Sequence, residues 1–128
     1  MAQILLIEPD RILADIYRTS LESAGYEVLM CASAQSAIFA ADAICPDLII
    51  LEVQLINHSG IEFLYEFRSY PEWQSVPVMI LSNVPEVEFG GSQDILAKEL
   101  GVVAYAYKPK TSLANMLRMV ASLAPIPA

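Results

Sequence analysis

Two carboxylates, a hydroxyl and a lysine each stand just beyond a short apolar run in this sequence. Glu8 follows Ile4-Leu-Leu-Ile7, with Pro9 and Asp10 next to it. Glu52 follows Leu48-Ile-Ile-Leu51. Ser82-Asn83 follows Val76-Pro-Val-Met-Ile-Leu81, and Lys108-Pro109 follows Val102–Tyr107. Carboxylate oxygens suit a hard cation such as Mg²⁺. A lysine with a hydroxyl suits a phosphoryl group or another carboxylate. Other chemistries fit poorly. His58 is the only histidine, so a zinc site built from several His and Cys ligands is not expected. The two cysteines, Cys31 and Cys45, form no CxxC motif and are expected to be reduced, buried thiols. No glycine-rich phosphate loop follows the first run, and neither GxGxxG nor GxxxxGK occurs, which ranks a small-ligand site low.

These groups can meet only if the runs lie side by side. Helical spacing of Leu13, Ile16, Tyr17, Leu21 and Ala24 predicts a helix from Asp10 to Ala24, capped by Asp10 and stopped by Gly25. A second strand is expected over Tyr26–Met30 and an alanine-rich helix over Ala34–Ile44, ending near Pro46. Asp47–Leu51 is the most continuous apolar strand, which implies burial on both faces. Then come a loop at Asn57–Gly60, a helix carrying Ile61, Leu64, Tyr65 and Arg68, and a connector from Tyr70 to Ser75. Val76–Leu81 is the fourth strand, with Pro77 near its start, where a missing N–H is tolerated. A loop at Val84–Gly91, a short helix at Ser92–Leu100, a fifth strand at Val102–Tyr107 and a last helix at Ser112–Leu123 complete the pattern. Strictly alternating strands and helices predict an α/β class: a doubly wound, five-stranded parallel sheet with helices on both faces. Right-handed crossovers leave few topologies. In such sheets, sites form beyond the carboxyl ends of the strands, where Glu8, Glu52, Ser82 and Lys108 all lie.

With 128 residues, 55% of them apolar and 17% charged, the chain is expected to be one domain over residues 1–124 with a short tail at 125–128. The apolar runs are too short to cross a bilayer. The N-terminus has no basic and apolar leader pattern, so a cytoplasmic location is expected. The net charge of −8 disfavours direct nucleic-acid binding and docking on an anionic membrane, and favours a basic partner.

Several of these segments together resemble a known family. Ile4-Leu-Leu-Ile-Glu-Pro-Asp10, Pro46-Asp-Leu-Ile-Ile-Leu-Glu-Val-Gln-Leu55, Gly60, Pro77-Val-Met-Ile-Leu-Ser82 and Tyr105-Ala-Tyr-Lys-Pro109 are similar to the receiver domain of bacterial two-component response regulators. The resemblance runs from about Gln3 to Leu123. It implies the flavodoxin-like strand order 2-1-3-4-5. It also implies an aspartate phosphoacceptor after strand three, Mg²⁺ held by acidic residues after strand one, and phosphoryl oxygens bound by a strand-four hydroxyl and a strand-five lysine. Carried over, the hydroxyl is Ser82 and the lysine is Lys108. The aromatic residue that moves inward on switching is Tyr105, placed by the resemblance on the surface of helix four, strand five and helix five.

Two positions depart from the family pattern. The phosphoacceptor position holds Glu52, whose carboxylate sits one methylene further out, a displacement that in-line transfer tolerates badly. The second strand-one acid is replaced by Pro9, leaving Glu8 and Asp10 as weak candidates for Mg²⁺. The resemblance is therefore to a degenerate receiver with no enzymatic activity and no required cofactor. Glu52 has two readings: a partial mimic of phosphoaspartate, with one negative charge where the phosphorylated residue carries nearly two, or a static ion pair with Lys108. Glu8 and Asp10 can equally serve as a negative first turn and cap. The expected function is a phosphorylation-independent module that binds a kinase, another receiver or an output protein, or that pairs with itself. The alternative is a phosphoaccepting receiver with altered Mg²⁺ binding. Ser82 to Lys108 is a few residues longer than the family pattern, and the Pro85–Gly91 loop carries the excess.

Overall fold

The structure is a computed structural model that describes residues 2–56 and 58–125. Asn57 of the expected loop and residues 126–128 of the expected tail lie outside the described residues. Five strands, β1 (Gln3–Ile7), β2 (Glu27–Cys31), β3 (Leu48–Leu51), β4 (Val78–Ser82) and β5 (Val102–Tyr107), form one parallel sheet in the order β2-β1-β3-β4-β5. This is the strand order that the resemblance implies. The helices are α1 (Arg11–Ser23), α2 (Ala34–Ile44), α3 (Gly60–Arg68), α4 (Gln93–Lys98) and α5 (Leu113–Leu123).

Strand periodicity divides the core into two layers. Leu5, Ile7, Ile49, Leu51, Val78 and Ile80 point to one face and pack against α2, α3 and α4 through Ala37, Ala41, Phe63, Phe67 and Leu96. Ile4, Leu6, Leu48, Ile50, Met79 and Leu81 point to the other and pack against α1 and α5 through Tyr17, Leu21, Met116 and Val120. Both faces of the central strands are thus covered, and their residues read as unbroken apolar runs.

The helix ends have local chemical causes. Asp10 Oδ1 accepts from the N–H groups of Ile12 (3.0 Å) and Leu13 (3.1 Å), as expected of its cap role. Ser33, Ser59 and Ser112 cap α2, α3 and α5 in the same way. Gly25 follows α1 with φ 103°, in the left-handed region that glycine tolerates. After α2 the left-handed residue is Cys45 (φ 49°), just before Pro46.

Several expectations shift. Cys45 is exposed and Cys31 is half-buried, both as free thiols, because the left-handed turn at Cys45 turns it away from the core. His58–Ser59, expected in a loop, pairs antiparallel with Gln54–Leu55 in a two-residue ladder. The Tyr70–Ser75 connector contains a 3₁₀ turn at Pro71–Trp73 that buries Trp73, its ring stacked 4.8 Å from Phe67. The Val84–Gly91 loop is largely a 3₁₀ segment over Glu86–Ser92, interrupted at Gly90, and α4 is shorter than expected.

Arg68 holds this half of the molecule together. Its guanidinium donates to the carbonyls of Leu100 (2.9 Å), Trp73 (2.6 Å) and Val76 (2.5 Å), joining the end of α3 to the turns before β4 and β5. Gly101 (φ 68°) lies against this guanidinium, where a Cβ would collide with it. An Arg68→Ala variant strands three acceptors, and charge-assisted bonds contribute more than neutral ones. Urea unfolding at neutral pH is expected to show a loss of about 2–3 kcal/mol.

Candidate functional site

The carboxyl ends of β1, β3, β4 and β5 bring Glu8, Glu52, Ser82 and Lys108 onto one rim, as the sequence predicts. All four are buried: the Glu8, Glu52 and Lys108 side chains are 3%, 4% and 7% exposed, and Ser82 is fully covered. Lys108 Nζ lies between the two carboxylates, 2.5 Å from Glu8 Oε1 and 2.7 Å from Glu52 Oε1. Two negative groups and one positive group therefore share a buried cluster.

Glu52 is saturated with donors. Oε1 accepts from Lys108 Nζ and from the Asn83 N–H (3.2 Å); Oε2 accepts from the Ser82 hydroxyl and from the Gln54 N–H (3.1 Å). Gly60 fixes the turn that makes this possible. Its N–H donates to Val53 O at 2.7 Å, and a Cβ there would come within 2.7 Å of Val53 Cα. Burial by itself pushes the Glu52 carboxyl up. The hydrogen bonds from Lys108, Ser82 and Gln54 outweigh it, and the net shift is downward. For Lys108, burial acts to lower the ammonium, and the bonds to Glu52 and Glu8 win, raising it. Both groups are thus charged at neutral pH.

Asp10 does not join this cluster. Its carboxylate caps α1, while its N–H donates to Glu8 Oε2 at 3.1 Å. Mg²⁺ does not fit these residues: Pro9 offers no ligand, Asp10 is committed to the helix, and the Lys108 ammonium sits against both remaining carboxylates. Among the described residues no group of three or more His, Cys, Asp or Glu could hold a metal ion.

Tyr105 is half-buried on β5, beside α4. Its hydroxyl donates to Val84 O at 2.5 Å, and its ring meets Phe89 edge-on at 5.9 Å. Val84 N in turn donates to Ser82 Oγ at 3.0 Å. A continuous chain of bonds therefore runs from Glu52 through Ser82 and Val84 to Tyr105. Burial, reinforced by the negative charges of Glu52 and Glu86, pushes the Tyr105 phenol up to about 12. A free tyrosine ionises near pH 10. The 295 nm absorbance titration of the protein, less that of Tyr105→Phe, should therefore show a phenol ionising well after pH 10. Glu52→Gln should bring that midpoint down. Because the folded value is raised for an acid, Tyr105 works against folding only as pH rises beyond about 10.

Residues 4–119 match the family model of the response regulator receiver domain. The chain belongs to this family. The receiver domain is 34% identical over 109 residues to the KDP operon transcriptional regulatory protein KdpE of Escherichia coli (strain K12), covering 85% of this chain and 45% of that protein. It is 30% identical over 107 residues to the alkaline phosphatase synthesis transcriptional regulatory protein PhoP of Bacillus subtilis (strain 168), covering 84% and 42%. The chain thus spans less than half the length of these relatives. Its fold is similar to that of the Vibrio cholerae chemotaxis protein CheY4, with a TM-score of 0.83, 22% identity and 96% and 98% of the two chains covered. The non-phosphorylated HemR receiver domain of Leptospira biflexa superposes with a TM-score of 0.82 at 20% identity, covering 100% and 98%.

The sequence reading identified Glu52, Ser82, Lys108 and Tyr105 as the equivalents of receiver site residues, and the fold places the first three in direct contact. It missed Glu8 as a second partner of Lys108, and the backbone donors at Gln54 and Asn83. An acid after β1 and a lysine after β5 flank β3 across the sheet order, so their meeting was foreseeable. The backbone donors have no signal in residue type.

Proposed function

We propose that this receiver domain acts as a phosphorylation-independent protein-interaction module in cytoplasmic signalling, with Glu52 standing where the family's phosphorylated aspartate stands. The observation that carries the proposal is the donor set of Glu52. Its longer side chain carries the carboxylate onto Ser82 and Lys108, the groups that the family uses for phosphoryl oxygens. No lone pair is left for in-line attack, and the geometry of such attack is unforgiving. The domain performs no phosphotransfer in this reading and needs no metal.

The chain of bonds to Tyr105 favours partial mimicry over a merely static ion pair. A carboxylate that pulls on Ser82 also fixes Val84, and Val84 holds Tyr105 inward. The state presented by α4, β5 and α5 is then set by sequence. Exposed Ile95, Val103 and Leu113 on those elements suit a kinase, another receiver, an output protein or a second copy.

The test is a Mg²⁺ titration followed by amide NMR. Millimolar Mg²⁺ is expected to leave the amides of Glu8, Glu52, Asn83 and Val84 unmoved. Saturable shifts confined to those amides would favour the alternative, a phosphoaccepting receiver with altered Mg²⁺ ligation.

A further inference from the structure

On the side of the sheet away from α1 and α5, the N-terminal part of α2, the ladder of Gln54–Leu55 with His58–Ser59, and α3 border a groove of about 770 Å³. Ser33, Ile38, Phe39, Ile56, Glu66 and Tyr70 are among its lining residues. Phe39 is 71% exposed and Ile56 is 67% exposed. Helix α2 reads Ala-Gln-Ser-Ala-Ile-Phe-Ala-Ala-Asp-Ala-Ile, and packs on the sheet through Ala34, Ala37 and Ala41. Its exposed positions are polar or small except for Phe39. The outer face carries an aromatic side chain into solvent, and exposed apolar surface in a groove marks a contact site.

Charge says what covers it. From Thr19 to Phe67 the chain has no lysine or arginine, but it has Glu22, Glu27, Asp42, Asp47, Glu52, Glu62 and Glu66. Glu52 is neutralised internally by Lys108. The first cation after this stretch, Arg68, is spent on three backbone carbonyls. Asp42 on α2 is one turn from Phe39, and Glu62 and Glu66 lie one turn apart on α3; all three are exposed. Glu66 lines the groove together with His58, and Asp42 and Glu62 stand exposed on the two flanking helices, which makes its rim net acidic. A second copy seated by the same face would set acidic rim against acidic rim, which disfavours a symmetric self-contact.

We infer that the α2–α3 groove docks a cationic amphipathic helix of a partner protein. Its apolar side chains would sit against Phe39 and Ile56, and its lysines or arginines would face Asp42, Glu62 and Glu66. This is the groove-and-helix mode of recognition, with opposite charge on the rims fixing register and raising the association rate. None of Glu8, Glu52, Ser82 and Lys108 lines the groove, and the inference holds whether or not Glu52 ever takes phosphate.

The probe is a fluorescently labelled helical Leu/Lys peptide, measured by anisotropy on the unmodified domain without phosphodonor or Mg²⁺. A Leu/Glu peptide of the same pattern serves as the charge control. Phe39→Ser and Glu66→Lys are each expected to weaken Leu/Lys binding roughly tenfold or more, the effect of losing a good part of one buried aromatic contact or reversing one rim charge. Val87→Ser, an equally exposed apolar residue outside the groove, should leave binding unchanged. Equal losses in all three variants, no loss in Phe39→Ser, or equal binding of the Leu/Glu peptide would overturn the inference. So would a dimer in sedimentation equilibrium that Phe39→Ser abolishes, since the occupant would then be a second copy. Circular dichroism of each variant shows that it is folded, and none of these outcomes bears on the Glu52 reading, which Mg²⁺ and phosphodonor test separately.

Discussion

Lys108→Ala is expected to lose about 3–5 kcal/mol of folding stability at neutral pH, because it leaves two buried carboxylates with no counter-ion. For a domain of this size that is a fall in Tm of roughly 10 °C or more. The desolvation of Glu8 and Glu52 is already incurred on folding, and the ammonium that offsets it is the only part removed. Glu52→Gln in the same background should recover much of the loss, since it removes one of the stranded charges. The double-mutant cycle then measures the coupling between the two residues. An unchanged melting temperature in Lys108→Ala would mean that the cluster is open to water and that the geometry described above is not its working state.

The pH dependence has a definite sign. In the natural protein the Glu52 carboxyl is held below its ordinary range, so its contribution is present above about pH 4 and is lost as pH falls through the depressed value. The Lys108 ammonium is held above its ordinary range, so its contribution is present below about pH 10 and is lost as pH rises through the raised value. Between those limits the cluster contributes a constant amount. In Lys108→Ala the balance inverts. Burial then acts on Glu52 against only the Ser82 hydroxyl and the backbone donors, and its carboxyl is expected to rise, so the variant gains stability as pH is lowered from 8 towards 5 while the natural protein stays level. Chemical denaturation at a series of pH values distinguishes the two slopes.

Much of this architecture was legible in residue order because the sheet imposes strong patterns. A strand buried on both faces has no polar positions, and Leu48–Leu51 shows none. Helix limits followed from Asp10 and Gly25, whose side-chain oxygen and absent Cβ have local roles. The ends of β2 and β4 each lie one or two residues later than expected, since strand ends depend on pairing with a neighbour. The burial of Trp73 was hidden for a different reason. It depends on Arg68 reaching three carbonyls and on Phe67 lying under the indole, contacts that no period of the local sequence encodes. In the site, side chains at strand ends could be assigned from topology, whereas the Gln54 and Asn83 donors are backbone groups available to any sequence. The meeting of Lys108 with both Glu8 and Glu52 was half legible: the lysine and Glu52 were paired in advance, and Glu8 was weighed as a metal ligand or first-turn charge.

Glu52 and Pro9 stand where the family pattern has the phosphoacceptor and a metal ligand. Shortening Glu52 to aspartate withdraws the carboxylate by one bond length, about 1.5 Å, and frees Ser82 and Lys108 to receive phosphoryl oxygens. By itself this is expected to be insufficient, because no second carboxylate after β1 then joins Glu8 to bind Mg²⁺ in competition with the Lys108 contact. Pro9→Asp supplies the missing ligand beside Glu8. Without the metal, the charge of the transferring group has only Lys108 to meet it, and misplacement of one reacting group costs about a hundredfold in rate. The decisive measurement is the intact mass of the natural protein, Glu52→Asp and Pro9→Asp/Glu52→Asp after incubation with Mg²⁺ and acetyl phosphate. One added phosphoryl group is expected on the double variant and none on the other two; a phosphoryl adduct on the natural protein would overturn the phosphorylation-independent reading.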